Sequence, residues 1–327
     1  MDKQINILFT SSGRRVALIR HFKEILSSIR PGAKVITADT NKNAPTAFIG
    51  DCYEPVPRVT DKNYISALLE ICNRHEIRLL IPLIDTELLL LSEHKALFQE
   101  HGVTILVCSP EATRICRNKN NTATFFQSIG IATPKIFEPE SILSDADAQY
   151  PYLIKPLDGS CSVGVTKINS SDELRFFSGY VNNAILQEFI EGEEYTVDAL
   201  VDFDGKVRSV VPRLRLETRA GEVSKGMTVK HRGIMETTKK VAENLPGALG
   251  CLTIQCFLTP AEEIVFIEIN PRFGGGFPLS IQAGADFPRW IIEMMLGRKS
   301  EIVFDGWQDG VVMLRYDDAV FTTADEL

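Results

Sequence analysis

Glu268 and Asn270 stand two residues apart at the end of an apolar run, in Ile264-Val-Phe-Ile-Glu-Ile-Asn-Pro-Arg-Phe-Gly-Gly-Gly276. Successive side chains on a strand alternate faces, so this carboxylate and this amide oxygen lie side by side. Hard oxygens so arranged suit Mg²⁺, which is usually held by one or two carboxylates together with substrate phosphates. Arg272, two residues further, offers a planar fork of donors that can reach a phosphate. A half-exposed edge strand with a wet face also accounts for Glu-x-Asn. The Asn-Pro-Arg-Phe-Gly-Gly-Gly continuation favours the metal.

Two further stretches carry chemistry. In Pro151-Tyr-Leu-Ile-Lys-Pro-Leu-Asp-Gly-Ser-Cys-Ser-Val-Gly-Val165, a short strand ends in Lys155, a loop of small residues follows, and a second strand begins. Backbone N–H groups of such a loop can wrap phosphate oxygens, and Lys155 supplies a point charge. It is not a Walker A loop, because Gly-Lys-Ser/Thr is missing and a strand follows instead of a helix. In Gln187-Glu-Phe-Ile-Glu-Gly-Glu-Glu-Tyr-Thr-Val-Asp198 a strand ends at Phe189-Ile190, turns at Gly192 and restarts after Glu194. Backbone groups at such a hinge can pair with an adenine edge while a carboxylate takes the ribose hydroxyls. Read singly, the first stretch also fits a plain hairpin. The second also fits an acidic surface turn, with four Glu among the seven residues 188–194.

Elements of two kinds must position these groups. Up to residue 110 the chain alternates strands (Ile5–Thr10, Lys34–Asp39, Leu79–Pro82, Thr104–Val107) with helices near Arg14–Ser28, Asp61–His75 and Thr86–Glu100. This alternation predicts a parallel sheet with helices on both faces and its loops gathered along one edge. Thr10-Ser-Ser-Gly-Arg-Arg15 is such a loop, equally readable as an anion site or as a tight turn. Ser109-Pro-Glu-Ala-Thr-Arg114 punctuates the end of this unit, and a helix over Lys119–Ile129 follows. From Pro151 onward strands and hairpins take over, at Tyr152–Pro156, Val165–Ile168, Ala184–Phe189, Tyr195–Asp202, Thr253–Leu258 and Ile264–Asn270, with Asp204-Gly205 as a hairpin turn.

Composition sets the frame. With 327 residues, 44% hydrophobic and 24% charged, the chain is an ordinary soluble protein of two or three domains. A formal charge of −8 argues against a general nucleic-acid or anionic-membrane surface. The most apolar region, Leu79–Leu91, is too short to span a bilayer and carries Asp85 and Glu87. No signal peptide is read at the N-terminus, and the seven Cys lack a Cys-x-x-Cys pair, which suits reduced thiols in the cytoplasm.

Taken together, in this order and spacing, the three chemistry-bearing stretches resemble the ATP-grasp superfamily over nearly the whole chain. The likeness is nearest to carbamoyl-phosphate-synthase-like large-subunit ligases, and the Gln187–Asp198 hinge is also similar to that of D-alanine–D-alanine ligases. The resemblance implies an N-terminal parallel α/β domain (1–112) and a two-lobed α+β fold. The small lobe (113–190) would carry a phosphate-covering lid and the large lobe (191–327) the Mg²⁺ site. It further implies that Lys119 and Lys155 contact phosphates and that Ser160, Ser162 and Gly164 cover the β- and γ-phosphates. Gln187, Glu188, Phe189 and Ile190 would frame the adenine, and Glu194 would hold the ribose. Gln255 would join Glu268 and Asn270 at one or two Mg²⁺, with Mn²⁺ able to substitute, and Arg272 would steady the transferred phosphoryl group. The implied activity is an ATP-dependent carboxylate–amine ligase, with carboxyphosphate chemistry or a small-molecule kinase as alternatives and a nucleotide-binding subunit without turnover ranked last. Its substrates would be ATP, a small carboxylate and an amine, and a homodimer is the expected assembly. Arg213, Arg215, Arg219 and Lys225 form a second-rank set for phosphate or substrate carboxylate, or a solvated basic strand face.

Overall fold

A computed structural model describes residues 5–157 and 164–326; Ser160 and Ser162 lie outside the described residues. Three sheets organise the chain. The first is wholly parallel, built from β1 (Asn6–Thr10), β2 (Val35–Asp39), β3 (Cys52–Pro55), β4 (Ile77–Pro82) and β5 (Thr104–Ile105) in the order β3-β2-β1-β4-β5. Alternate residues serve opposite faces. Ile7, Phe9, Val35, Leu79 and Ile81 pack with α1 (Val16–Ile29), whose Leu18, Ile19, Phe22, Ile25 and Leu26 recur at helical spacing. Leu8, Ile36, Ala38 and Leu80 pack on the other face against α2 (Tyr64–Arg74), α3 (Asp85–Glu93) and α4 (Lys95–Glu100). Both faces are covered, so the strands read as near-continuous apolar runs. β1 has β2 on one side and β4 on the other. The order therefore reverses there, and the loops after β1 and β4 flank the crevice where ligands bind in such sheets.

Helices α5 (Pro110–Arg117) and α6 (Lys119–Ser128) lead out of this unit. The second sheet is antiparallel, with β6 (Ile136–Phe137), β7 (Tyr152–Pro156), β8 (Thr166–Ile168) and β9 (Ala184–Glu188) in the order β6-β9-β7-β8. Tyr152, Ile154 and Leu186 bury its back against Ile142 of α7 (Pro139–Ser144) and Leu174 of α8 (Ser171–Tyr180). The third sheet contains β10 (Glu193–Val201), β11 (Val207–Arg219), β12 (Glu222–Thr228), β13 (Gly250–Leu258), β14 (Ile264–Asn270) and β15 (Val312–Leu314), in the order β14-β13-β10-β11-β12-β15. Helix α9 (Arg232–Asn244) packs on β10 and β11, and α10 (Pro278–Gln282) and α11 (Phe287–Met295) lie between β14 and β15 in the chain. Fully buried residues such as Val197, Ile254 and Phe266 each contribute about 1.5–3 kcal/mol of apolar burial to the core beneath this sheet.

Some elements depart from the sequence expectation. The helix expected over Thr86–Glu100 is divided at His94 into α3 and α4. Ser109–Arg114, expected as punctuation, opens α5. Ser109 Oγ accepts from the Ala112 N–H at 3.1 Å and Pro110 takes the first helical position, because turn-forming residues are also helix starters. Gly192 turns the chain from β9 into β10. A Cβ there would lie 2.9 Å from the Leu258 carbonyl carbon and closer still to its oxygen. Backbone in a central strand does not yield as a side-chain tip does. Gly192→Ala is therefore expected to cost about 1–3 kcal/mol, read as a lower urea midpoint. An unchanged midpoint would show that the turn has room.

Candidate active site

Two polar rows cross one face of the third sheet. Strand register pairs Arg213 with Thr196, Thr196 with Gln255 and Gln255 with Glu268. A parallel row pairs Asp198 with Thr253 and Thr253 with Asn270. Directly opposed residues share a face, so the three residues expected at the metal, Gln255, Glu268 and Asn270, come together. The interleaved Val197, Ile254 and Ile269 point the other way, into the apolar core. Alternation thus puts chemistry on one side of β13 and β14 and packing on the other.

Asp198 anchors this face. Fully buried, it accepts from Arg213 Nε at 2.7 Å and Nη2 at 3.0 Å, from Ser280 Oγ at 2.6 Å and from Thr253 Oγ1 at 3.3 Å. Thr253 Oγ1 also lies 2.9 Å from the Arg272 carbonyl, which ties the network to the loop after β14. Arg213 is thus buried in an ion pair and Arg215 donates to Glu194 at 2.6 Å, whereas Arg219 and Lys225 are exposed and paired with Asp317 and Glu217. Burial raises the pKa of Glu194, Arg215 opposes this, and the charge of Glu268 adds to it, so the two carboxylates share one space. Glu268 itself is half-buried and makes no hydrogen bond or ion pair among the described residues. Asn270 Oδ1 accepts from Arg272 Nη2 at 3.1 Å, and the same nitrogen reaches Asp85 at 2.6 Å. Asp85 starts α3, after β4, so the first sheet meets the third at Arg272. A cavity of about 290 Å³ opens beside this junction, lined in part by Asp85, Thr113, Arg117, Glu268 and Asn270.

The second sheet supplies cations. Lys155 shares a face of β7 with Leu153, opposite to the Tyr152–Ile154 face that is packed on α7 and α8. It is 8% exposed, and burial pushes its ammonium pKa down to about 8; Glu268 counteracts this and Lys119 reinforces it. Lys119 Nζ donates to the Leu157 carbonyl at 3.2 Å, at the start of the small-residue loop. Lys155 is therefore in electrostatic range of both Glu268 and Lys119. Gln187, opposite Leu153, is buried. Glu188 spends its N–H on the Lys135 carbonyl and its carboxylate on the Lys135 N–H, at 2.9 and 3.2 Å. The Phe189 ring lies under Lys167 Nζ, 4.2 Å from the centroid, and Ile190 is half-buried at the hinge. Gly164 takes φ +74°, a left-handed backbone that favours glycine.

Asp85, Asp198 and Arg15 are the site residues that sequence reasoning left without a role. For Asp85 a signal existed: a carboxylate at a helix start directly after a buried parallel strand. For Asp198 the signal was an acid inside an otherwise apolar strand.

Residues 7–106 match the description "PylC-like, N-terminal domain" and residues 116–276 match "ATP-grasp domain". The vancomycin/teicoplanin A-type resistance protein VanA of Enterococcus faecium is 28% identical over 200 residues, covering 54% of this chain and 58% of VanA. A carbamoyl-phosphate synthase of Methanobrevibacter smithii is 23% identical over 260 residues, covering 75% of this chain and 69% of the relative. The chain thus spans 58% and 69% of the lengths of these two proteins. In fold it is similar to the ADP complex of an N5-carboxyaminoimidazole ribonucleotide synthetase, with TM-score 0.75, 17% identity, and coverage of 96% and 82% of the two chains. Residues 116–276, which carry the two-sheet cleft, are thus an ATP-grasp domain, preceded over residues 7–106 by a PylC-like N-terminal domain on the parallel sheet.

Proposed function

We propose that the protein is an ATP-dependent carboxylate–amine ligase. The observation that carries this reading is the unmet charge across the cleft. Buried Lys155 calls for an anion from one side, and Glu268, without a hydrogen-bond or ion-pair partner among the described residues, calls for a cation from the other. A metal-bound polyphosphate answers both. The name of the carbamoyl-phosphate synthase to which the chain is similar supports ligase chemistry as well.

In this reading residues 113–190 hold the nucleotide from the lysine side, 191–327 from the carboxylate side, and 1–112 complete the acceptor site. Gln187, Glu188, Phe189 and Ile190 line the adenine and Glu194, fixed by Arg215, meets the ribose. Ser160, Ser162 and Gly164 cover the phosphates. Mg²⁺ at Glu268, Asn270 and Gln255 would neutralise phosphate charge. A carboxylate oxygen of the acid substrate bonds to the γ-phosphorus and ADP leaves with the bridging oxygen. The amine then attacks the acyl carbon, the C–O bond to phosphate breaks, and the departing phosphate takes up the proton that the nitrogen loses. Lys155 and Arg272 stabilise the transferring phosphoryl group, Arg272 being held in place by Asp85. A screen of small carboxylates and amines in pairs tests the reading: ADP release that requires both partners is expected. Release with a carboxylate alone would instead place the protein among kinases or carboxyphosphate-forming enzymes.

Lys155 also makes nucleotide binding depend on pH. Its folded-state pKa of about 8 is depressed, and bound phosphates would raise it again. Below pH 8 the ammonium is already charged and affinity is flat. Above pH 8 binding must take up a proton, so ADP affinity should fall as pH rises. Lys155→Ala should weaken ADP binding by roughly tenfold to a hundredfold at pH 7 and remove the alkaline decline, as read by calorimetry in two buffers of different ionisation enthalpy. A decline that survives in the variant would assign it to another group.

A further inference from the structure

The β1–α1 loop carries a cation that the nucleotide reading does not use. Ser11 and Gly13 both take left-handed backbone, φ +49° and +47°, and the turn is pinned on several sides. The Gly13 N–H donates to Asp39 Oδ2 at 2.9 Å, Ser12 and Thr46 hydroxyls meet at 2.8 Å, and Ser11 Oγ donates to the buried Glu87 at 3.1 Å. This held turn delivers Arg15 to the crevice at the reversal of strand order. A Cβ on Gly275 would lie 2.6 Å from Arg15 Nη1 and 3.1 Å from Glu222 Oε1, so the guanidinium rests directly over Gly275. A side chain at Gly275 would fill its place.

The charges around Arg15 do not balance among the described residues. Arg272 is paired with Asp85 at 2.6 Å, and Arg315 with Glu222 at 3.2 Å. The Arg15 guanidinium, half-buried between them, forms no hydrogen bond or ion pair among the described residues; Arg272 and Arg315 repel it, while Glu222 and Asp85, each already paired with one of those arginines, attract it. Among the described residues three guanidinia share two carboxylates, which leaves one positive charge, in fork geometry, beside the arginine expected to hold the reacting group.

Resting on the ligase reading above, we infer that Arg15, together with Arg315, binds a second carboxylate of a substrate, one that is not phosphorylated. The substrate class is then a small acid with a carboxylate to spare: either a dicarboxylic acid that is activated at its other end, or an amino acid whose amine is the acceptor. One singly charged carboxylate matches the one unmatched guanidinium, and the fork geometry suits it bidentately.

The test titrates the full chain, with and without saturating MgADP, using two pairs of probes: succinate against propionate, and β-alanine against ethylamine. In at least one pair the probe with the extra carboxylate should bind about tenfold tighter or more. A preference in the first pair identifies the activated acid as the carrier, and in the second pair the amine. Arg15→Gln should erase that preference with MgADP affinity unchanged, and Arg15→Lys should restore part of it. Unaltered thermal unfolding of both variants excludes a folding defect. No carboxylate preference in either pair, or a preference that survives Arg15→Gln, overturns the inference. Failure of MgADP itself to bind would instead strike the nucleotide reading, while the nucleotide-free titrations still decide the role of Arg15.

Discussion

Glu268→Gln combined with Asn270→Ala should remove Mg²⁺-dependent turnover and leave the protein folded. A divalent ion stabilising transferring phosphate contributes several kcal/mol, so the loss should be roughly a hundredfold to a thousandfold or more. Folding should be spared because Glu268 makes no hydrogen bond or ion pair among the described residues, and Asn270 gives up one contact from Arg272, which keeps Asp85. ADP binding with and without Mg²⁺, measured by calorimetry, gives a readout that needs no knowledge of the acceptor. In the natural protein Mg²⁺ should tighten ADP, and in the double variant this gain should vanish. An undiminished gain would move the metal away from β14.

The second large effect is on stability. Asp198→Ala should destabilise by about 3–5 kcal/mol, because it strands the buried Arg213 guanidinium, 1% exposed, with no counter-charge. Part of the cost is structural at a distance. Ser280 and Thr253 lose their shared acceptor, and Thr253 also bonds the Arg272 carbonyl, so the loop from 271 to 277 should loosen. Removing both charges with Asp198→Leu and Arg213→Met should recover much of the stability, since an apolar pair of similar volume replaces a desolvated ionic one. Urea unfolding of the two variants separates the cases. A single variant that loses less than about 1 kcal/mol would show that Arg213 finds another partner, or water.

Local chemistry wrote much of the fold into the chain. The β-α alternation of the first 110 residues, the Asp204-Gly205 hairpin and the strands Tyr152–Pro156 and Ile264–Asn270 are all where hydrophobic period and turn residues put them. The i, i+2 spacing of Glu268 and Asn270 determined that they share a face, because pleating is a local property of any strand. Which other residues join that face is a matter of register. Gln255 opposite Glu268 follows from β13 pairing with β14, and Arg213 in the same row from β10 lying between β13 and β11. For that reason the four cations of Arg213–Lys225 looked alike along the chain. In three dimensions they separate into one buried ion pair, one partner of Glu194 and two exposed pairs.

The junction between the sheets lies furthest from local rules. Arg272 and Asp85 are 187 residues apart, and Arg15 meets Gly275 across a still longer span. Neither residue type nor spacing encodes those encounters, since they depend on how whole sheets dock through the shared core of α1, β1, β13 and β14. The sequence by itself determined the types of element and the pairing of oxygens on β14, both set by interactions within a few residues. Only the tertiary structure decided that Lys155 would be buried and lose proton affinity, that Glu268 would stand without a partner among the described residues, and that Arg15 would be the guanidinium left over. Each of these is a balance of desolvation against charge, and that balance exists only after distant strands have been brought face to face.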